Sequence, residues 1–193
     1  MTIIGVLALQ GDFIEHVTML RRMSVEAREI RLAKQLAEID GLIIPGGEST
    51  TIGKLAVDFQ MMEPLQEFGR NKAIWGTCAG AIFLSKDAGR HQPLLGLMDI
   101  KVERNAFGRQ VDSFEIDLPI PILKKVSPSD APFHAIFIRA PLIEEVGKGV
   151  EVLASLQDGR IVAAQEDRWL ATSFHPELTA DDRFHRYFLE MIP

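Results

Sequence analysis

Short apolar runs alternate with amphipathic stretches through the first half of the chain. Residues 3–9 form a continuous apolar run, the pattern of a strand that is covered on both faces of a parallel sheet. Residues 13–23 then carry Ile14, Val17 and Leu20 at helical spacing, which predicts a helix packed on that sheet. The same kind of pattern predicts further strands at residues 25–30, 41–45 and 72–75. It predicts helices at residues 61–68 and 80–86, and a short helix or turn at residues 33–39. The first half is therefore predicted to consist of βα units.

The second half is richer in short strands. Residues 100–118 alternate in part, with turn signals at Asn105 and Gly108, as in antiparallel strands at a sheet edge. Prolines mark an irregular surface passage over residues 119–132. Strands are predicted at residues 133–139, 150–156, 160–166 and 169–174, with a hairpin at Asp158-Gly159 and a closing helix at 182–191.

This order of elements predicts an α/β fold made of a single domain, residues 1–193. Its expected architecture is a three-layer sandwich: a mostly parallel central sheet, helices on both faces, and an antiparallel extension. Neither an internal repeat nor a composition break suggests a second domain.

Composition narrows the functional classes. The 193 residues are 47% hydrophobic and 25% charged, as in an ordinary globular protein, and the net charge of −6 argues against nucleic acid or anionic membrane as the main partner. The single cysteine excludes an internal disulfide and fits a reducing cytosol. The apolar start lacks the basic residues of a signal peptide, and no apolar run approaches the ~18 residues of a membrane span. We expect a cytoplasmic protein.

That one cysteine, Cys78, is the first candidate for chemistry. It lies between Gly76 and Gly80, after a predicted buried strand and before a predicted helix. A strand, a tight turn of small residues and a helix form a nucleophile elbow, which presents the side chain at the carboxyl edge of a sheet. The helix N-terminus there favours thiolate over thiol. The alternative is that Cys78 is a small, inert core residue.

A second turn lies at Gly46-Gly47, after the strand predicted at residues 41–45. Two glycines let the main chain approach a ligand closely, and exposed N–H groups in such a turn can stabilise an oxyanion. Ser49 or Thr50 is expected to cap a helix that runs through Leu55. An ordinary glycine turn is the alternative.

A phosphate-binding loop at residues 47–54 is rejected, because its glycines are one residue too far apart and Leu55 replaces the magnesium-binding hydroxyl. A dinucleotide fold at residues 3–23 lacks its glycine fingerprint.

A possible base and its orienting carboxylate follow the last predicted strand, at His175 and Glu177. In extended backbone, residues i and i+2 project to the same side, so both side chains can face the elbow. Pro176 stiffens the arrangement. His175 can then take a proton from Cys78 while Glu177 holds the imidazole in one tautomer. His-Pro-Glu can equally be a simple turn. The other histidines show no ligand spacing to His175, so no metal site is predicted.

These three features together carry a family resemblance. The segments PGGESTT (45–51), GTCAG (76–80) and SFHPE (173–177) resemble the three signatures of class I, triad-type glutamine amidotransferases, in that family's order and spacing. Within the family, segments 9–11, 46–51, 102–112 and 137–141 resemble the glutaminase subunits of pyridoxal 5'-phosphate synthases. The resemblance spans essentially the whole chain. It implies the flavodoxin-like fold of class I glutaminases.

The resemblance also implies roles for individual residues. Cys78 would attack the side-chain amide of L-glutamine, His175 would act as base and then acid, and Glu177 would orient His175. Backbone N–H groups of Gly47 and Ala79 would form the oxyanion hole. The residues implied in holding glutamine are Gly47, Glu48, Ser49, Arg104, Ile138 and Arg139. A cationic Arg104 or Arg139 suits the substrate's carboxylate, although either arginine could instead form only a surface ion pair.

The implied partner is the synthase subunit, which would receive ammonia in a hetero-oligomeric complex, so this chain would need no cofactor. Two alternatives remain: a glutaminase of the same fold that serves a different partner, and a non-catalytic docking module. The intact Cys78, His175 and Glu177 argue against the last. Because Gly46-Gly47 can hold the oxyanion N–H groups misdirected until a partner docks, the isolated chain is expected to be a poor glutaminase.

Overall fold

Strands and helices alternate along the chain in the computed structural model, which describes residues 2–104 and 113–193. The strands are β1 (Ile3–Leu7), β2 (Glu26–Ile30), β3 (Gly41–Ile44), β4 (Ala73–Thr77), β5 (Ser85–Asp87), β6 (Met98–Glu103), β7 (Ser113–Leu118), β8 (Phe133–Ile138), β9 (Leu142–Val146), β10 (Glu151–Ser155), β11 (Ile161–Glu166) and β12 (Trp169–Thr172). The α-helices are α1 (Phe13–Arg22), α2 (Ser49–Asp58), α3 (Met62–Asn71), α4 (Ala79–Leu84) and α5 (Arg183–Glu190). Short 3-10 helices occupy Ala33–Glu38, Pro121–Lys125 and Pro176–Leu178.

The central sheet has the order β2-β1-β3-β4-β12-β11-β9-β6-β5, with β10 paired to β11. The five strands from β2 to β12 are parallel to one another, whereas β11, β9 and β6 continue the sheet by antiparallel pairing. The start of this order, 2-1-3-4 followed by one more parallel strand, is the flavodoxin-like order. The predicted parallel sheet with an antiparallel extension is confirmed.

Helices cover both faces of the sheet, so the predicted three layers are confirmed. On one face, α1 and α5 pack through fully buried residues such as Leu20 and Phe188. On the other face, α2, α3 and α4 contribute the buried Ile52, Leu65 and Phe83. Burial of each such side chain is worth about 1.5–3 kcal/mol, which is why the apolar periodicity located these helices.

The predictions for the second half hold in part. Residues 100–118 do contribute antiparallel strands, but to two different sheets: β6 pairs with β9 in the central sheet, and β7 pairs with β8 in a separate two-stranded sheet. The predicted turn at Asn105 and Gly108, and most of the segment 102–112, lie outside the described residues. Strands β5 and β9 were not predicted. The hairpin at Asp158-Gly159 is confirmed by the antiparallel pairing of β10 and β11.

The start of α2 also differs from prediction. Ser49 and Thr50 are the first helical residues, and the capping side chain belongs to Glu48. Its Oε1 accepts hydrogen bonds from the backbone N–H and the hydroxyl of Thr50, at 3.4 and 2.9 Å. A carboxylate in this position also complements the helix dipole.

The parallel strands bring distant segments to one edge. β1, β3, β4 and β12 lie side by side and run in the same direction, so the residues that follow each of them meet at the carboxyl end of the sheet. Those residues are Gln10–Asp12, the Gly46-Gly47 turn, Cys78 and His175. In open α/β sheets, ligands bind in the crevice at this end. Within the two described ranges, no helix combines the length and apolar character needed to cross a membrane.

Candidate active site

Cys78 lies on a strained turn between β4 and α4. Its φ is +50°, an uncommon value for a residue with a side chain, and its backbone N–H donates to the carbonyl oxygen of Thr172 at 2.8 Å. The turn needs glycine on both sides: a Cβ at Gly80 would lie 1.9 Å from the carbonyl oxygen of Ile44, and one at Gly76 would lie 2.5 Å from Gly80. The predicted elbow geometry is confirmed. The Cys78 side chain is 7% exposed and reaches the cavity described below.

His175 and Glu177 form a buried pair beside Cys78. His175 Nδ1 lies 2.7 Å from Glu177 Oε1. The predicted contact between Glu177 and the imidazole is present, but the prediction that both side chains face the elbow from an extended backbone was wrong for Glu177. Strand β12 ends at Thr172, and Glu177 lies in the 3-10 helix that begins at Pro176. Because proline fixes φ near the helical value, Pro176 starts this single turn, which curls Glu177 back toward the imidazole.

Charges around His175 favour its protonated form. Burial is the largest effect and acts against a charged imidazole, but hydrogen bonds and charge interactions with Cys78 and Glu177 outweigh it and raise the pKa of His175 to about 10. Burial likewise raises the pKa of Glu177, while the hydrogen bond with His175 opposes that rise. Cys78, His175 and Glu177 are therefore electrostatically coupled, with the imidazole as the positive centre.

The glycine turn packs directly against this group. Gly47 has a φ of +144°, and a Cβ on Gly46 would lie 2.5 Å from His175 Cε1. Gly11, with a φ of +103°, allows the neighbouring loop to approach, since a Cβ there would lie 1.8 Å from the carbonyl oxygen of Gly46. The side-chain oxygen of Gln10 accepts the backbone N–H of Glu48 at 2.8 Å and so holds the turn in place.

One cavity of about 450 Å³ joins these segments. Its lining includes Gln10, Gly11, Asp12, Gly47, Glu48, Ser49, Cys78, Ala79, Ile82, Arg104, Ile138, Arg139, Pro141, His175 and Leu178. Every residue to which the family resemblance gives a catalytic, oxyanion or substrate-binding role therefore lines the cavity, except Glu177, which lies behind His175. The volume and the open mouth fit a small polar molecule.

Glu48 and Arg104 face each other across the cavity wall. Arg104 Nη2 lies 2.8 Å from both carboxylate oxygens of Glu48. Partial burial is the largest single effect on Glu48 and opposes its ionisation, yet hydrogen bonds from Thr50 and Arg104 outweigh it and lower the pKa of Glu48. On the opposite wall, Arg139 has a φ of +42°, and the carbonyl oxygen of Ile138 lies 4.0 Å from Cys78 Sγ. Arg104 is therefore held in the cavity wall by its ion pair with Glu48.

Asp12 lies beside His175, although no catalytic role was predicted for it. Its Oδ2 lies 3.8 Å from His175 Nδ1, and Asp12, His175 and Glu177 offer possible metal-ligand atoms within 4.8 Å of one another. The 2.7 Å contact between His175 Nδ1 and Glu177 is a hydrogen-bond distance, so these two groups already satisfy each other. That pairing disfavours the coordination of a metal ion by Nδ1 of His175.

Two buried histidines behind Glu177 were also missed. His16 on α1 and His185 on α5 are fully buried, and His16 Nδ1 lies 3.0 Å from His185 Nε2. A sequence signal existed: His16 falls on the same helical face as the buried Val17 and Leu20, where a polar side chain needs a partner. The partner, 169 residues away along the chain, is set by tertiary structure.

Comparison with known proteins gives the site its context. A model of the SNO glutamine amidotransferase family matches residues 6–193. A protein of Herpetosiphon aurantiacus named pyridoxal 5'-phosphate synthase subunit PdxT is 59% identical over 191 residues, which covers 96% of this chain and 98% of the relative. A protein of the same name from Moorella thermoacetica is 55% identical over 191 residues, 98% of each chain.

Solved structures give the same picture. A crystal structure described as a glutamine amidotransferase superposes with a TM-score of 0.90 at 49% identity, covering 97% of both chains. The PurLQS structure from Thermotoga maritima matches 99% of this chain and 96% of its own with a TM-score of 0.70 at 14% identity, a likeness of fold alone.

Proposed function

The chain belongs to the SNO glutamine amidotransferase family, and on that premise we propose that it is the glutaminase subunit of a pyridoxal 5'-phosphate synthase, acting in vitamin B6 biosynthesis. It hydrolyses L-glutamine to L-glutamate and ammonia. The observation that carries the proposal is the cavity at the carboxyl edge of the sheet, where the strained Cys78 meets the hydrogen-bonded pair of His175 and Glu177. The entire chain, residues 1–193, acts as one glutamine amidotransferase domain.

The proposed chemistry begins at Cys78. Its thiolate, paired with the imidazolium of His175, attacks the side-chain amide carbon of glutamine, and the carbonyl electron pair moves onto oxygen. The N–H groups of Gly47 and Ala79 stabilise that oxyanion. Imidazolium then gives its proton to the amide nitrogen, the carbon–nitrogen bond breaks, and ammonia leaves a glutamyl thioester on Cys78.

Hydrolysis of the thioester completes the cycle. The neutral His175 takes a proton from water, and the hydroxide attacks the thioester carbonyl. Collapse of the second tetrahedral intermediate breaks the carbon–sulfur bond and returns the Cys78 thiolate and the His175 imidazolium. The new carboxyl group leaves as the acid and loses its proton to solvent or to the released ammonia, which gives glutamate. Throughout, Glu177 holds the imidazole orientation through the 2.7 Å contact at Nδ1. The site needs neither a metal nor a cofactor for these steps.

Recognition of glutamine is proposed to use the ion pair in the cavity wall. The substrate carries an α-carboxylate and an α-ammonium group, so it can match Arg104 with the first and Glu48 with the second. Arg139 offers a second cation for the carboxylate. Ser49 and the backbone of Ile138 are proposed to complete the pocket, and the 4.0 Å distance from the Ile138 carbonyl oxygen to Cys78 Sγ supports this role for Ile138.

Ammonia is proposed to pass to the synthase subunit. The proposed location is the cytoplasm, since a chain with one cysteine has no internal disulfide that would suit an oxidising compartment. Partner docking is expected to raise the glutaminase rate. Gly46 and Gly47 have the backbone freedom of glycine, and two hydrogen bonds from the neighbouring loop hold the turn: Gln10 accepts the N–H of Glu48, and the N–H of Asp12 donates to the carbonyl oxygen of Gly46. Docking next to this turn can therefore redirect its N–H groups toward the oxyanion.

The test is a paired glutaminase assay with and without the cognate synthase subunit, using glutamine labelled with ¹⁵N in the side-chain amide. We expect little ammonia from the isolated chain, faster release in the complex, and label in the synthase product. Cys78→Ala should abolish release but keep partner binding. No turnover in either condition would contradict the proposal. Turnover that is indifferent to this synthase would point to a different acceptor subunit.

A further inference from the structure

A chain of buried polar groups continues behind the His175–Glu177 pair. The second carboxylate oxygen, Glu177 Oε2, lies 3.4 Å from His16 Nε2, and both side chains are fully inaccessible to solvent. His16 Nε2 is also 3.2 Å from Thr77 Oγ1, and His16 Nδ1 is 3.0 Å from His185 Nε2. These contacts link α1, β4 and α5 to the candidate catalytic pair, yet the proposed chemistry does not use them.

The positions of the protons in this chain can be deduced by counting donors. In one arrangement, His185 Nε2–H donates to His16 Nδ1, and His16 Nε2–H is shared between Glu177 Oε2 and Thr77 Oγ1. In the other, the Thr77 hydroxyl donates to His16 Nε2, and His16 Nδ1–H donates to His185 Nε2.

The two arrangements leave different groups unsatisfied. Among the residues that the structure describes, neither Glu177 Oε2 nor His185 Nδ1 has a hydrogen-bond partner of normal geometry, and His16 Nε2 lies 3.4 Å from Glu177 Oε2. The second arrangement leaves a buried carboxylate oxygen without a donor and a buried N–H of His185 without an acceptor. The first leaves an unprotonated ring nitrogen of His185 and the hydroxyl hydrogen of Thr77 unpaired, and neither is as costly to bury unpaired as a carboxylate oxygen. Because buried polar groups are nearly always paired, the first arrangement is the favoured one.

We propose that His16 is a positioning residue for the glutaminase reaction: as the neutral Nε2–H tautomer it anchors Glu177 Oε2 and so presents Glu177 Oε1 to His175. This inference rests on the proposed function. A glutamate side chain has three rotatable bonds, and water cannot reach this one. Without the His16 anchor, its carboxylate is held at one oxygen only and can turn away from the imidazole.

The surroundings of His16 keep it neutral, as this role requires. Burial is the main reason that the pKa of His16 is lowered well below its usual value, and His185 and His175 act in the same direction. Burial also lowers the pKa of His185 to about 3. A neutral donor anchors Glu177 without competing with the imidazolium of His175 for the carboxylate charge.

The first test is direct observation of the tautomers. Imidazole ¹⁵N and ¹³C NMR of the full chain near pH 7, with signals assigned through His16→Gln and His185→Gln, distinguishes the two forms of each ring. We expect both His16 and His185 to carry the proton on Nε2. A proton on Nδ1 of His16 would overturn the proposal, whatever the enzyme activity turns out to be.

The second test measures kinetics in the complex with the synthase subunit. His16→Leu fills the buried volume with an apolar side chain but removes the N–H that donates to Glu177. His16→Gln places an amide N–H near the position of Nε2. We expect His16→Leu to lower kcat about 10- to 100-fold with little change in KM, as is typical for groups that orient catalytic residues, and His16→Gln to recover most of that loss. The control is His134→Gln, an exposed histidine paired with Glu115 and Asp117 away from the cavity.

The outcomes separate this inference from the proposed function. An active wild-type complex whose His16→Leu variant keeps its full kcat would overturn the role of His16 and leave the glutaminase proposal intact. Equal losses in His16→Leu and His16→Gln, accompanied by equal losses in melting temperature, would assign His16 to packing alone and also overturn it. An inactive wild type would contradict the proposed function, while the NMR measurement would still decide the tautomer.

Discussion

Strain and close contact are concentrated at a few residues around the cavity. Cys78 has a φ of +50°, which is strained for a residue with a side chain. Gly46 packs so closely against the imidazole of His175 that there is no room for a Cβ. Both features were visible in the sequence as small-residue patterns, because only such residues allow the turns. The sequence could not reveal why Gly46 in particular is needed, since that depends on a residue that follows it by more than a hundred positions.

Gly46→Ala should therefore inactivate the enzyme without unfolding it. The added Cβ would lie 2.5 Å from His175 Cε1, so the imidazole must move away from Cys78. A misplacement of about 1 Å can cost about 100-fold in rate, and we expect kcat to fall by at least about that factor. Gly149→Ala is the matched control, because its Cβ would meet only one atom, at an ordinary 3.6 Å. Steady-state assays with the synthase subunit measure both; equal activity of Gly46→Ala and wild type would refute the contact.

The protonation of His175 gives a second prediction at this scale. Its imidazole should stay charged through neutral pH and titrate near 10, because hydrogen bonds and charge from Cys78 and Glu177 outweigh burial. Cys78→Ala removes one of these sources, so the pKa of His175 should then fall toward the ordinary value near 6.5. NMR titration of the histidine ring protons follows both proteins. An unchanged pKa in Cys78→Ala would show that the thiolate does not stabilise the imidazolium.

At the scale of elements, the beginning of α2 contributes both to helix stability and to the proposed binding of glutamine. Glu48 caps the helix through Thr50 and pairs with Arg104, which follows β6. A cap by Ser49 or Thr50 was the expectation because those residue types are the usual caps. In the structure Glu48, one residue earlier, caps the helix and at the same time pairs with Arg104. Sequence statistics cannot weigh a contact with a residue 56 positions away.

Substitution of each partner of this ion pair should separate the two roles. Arg104→Ala should raise the KM for glutamine about 10-fold or more with a smaller change in kcat, since a hydrogen bond to a charged group is worth about 1.5–3 kcal/mol. Glu48→Ala should raise KM as well and also lower the free energy of unfolding by about 1 kcal/mol, the usual cost of a lost cap. Arg186→Ala, which breaks a surface pair with Asp182, is the control. An unaltered KM in Arg104→Ala would remove that residue from the binding site.

Other elements show where pattern reading works and where it fails. The buried strands β1, β3 and β4 were predicted because their apolar runs are continuous. β5 has only three residues, and β9 is exposed over its second half, so neither gives a clear pattern. Alternation identified β7 as a strand but could not choose its partner, because pairing between strands depends on the whole fold.

At the scale of the whole molecule, helices α1 and α5 both pack on Trp75 of β4. Each helix contributes a buried histidine, His16 and His185, to the space between them. The indole ring centroid lies 4.9 Å from that of His185 and 5.6 Å from that of His16. Layer architecture was predictable from the order of elements. The buried histidine pair was not, since its two members lie near opposite ends of the chain.

This enclosed pair should make the protein acid-sensitive. The pKa of His185 is lowered to about 3 in the folded state by burial, but it is near 6.5 in the unfolded chain. As pH falls below 6.5 the unfolded state binds the proton first, so the free energy of unfolding should decrease by up to about 1.4 kcal/mol per pH unit for each such histidine. Urea unfolding at pH 7, 6 and 5 should show this slope, and His185→Phe should reduce it. A slope unchanged by His185→Phe would contradict the assignment.

The central claim is that Cys78 carries a glutamyl group during turnover, and rapid acid quenching tests it directly. The complex with the synthase subunit is mixed with glutamine, quenched within one turnover, digested and analysed by mass spectrometry. We predict a glutamyl adduct on the peptide that contains Cys78, lost on treatment with hydroxylamine and absent from Cys78→Ala. Ammonia release without an adduct at Cys78, or an adduct on another residue, would contradict the account.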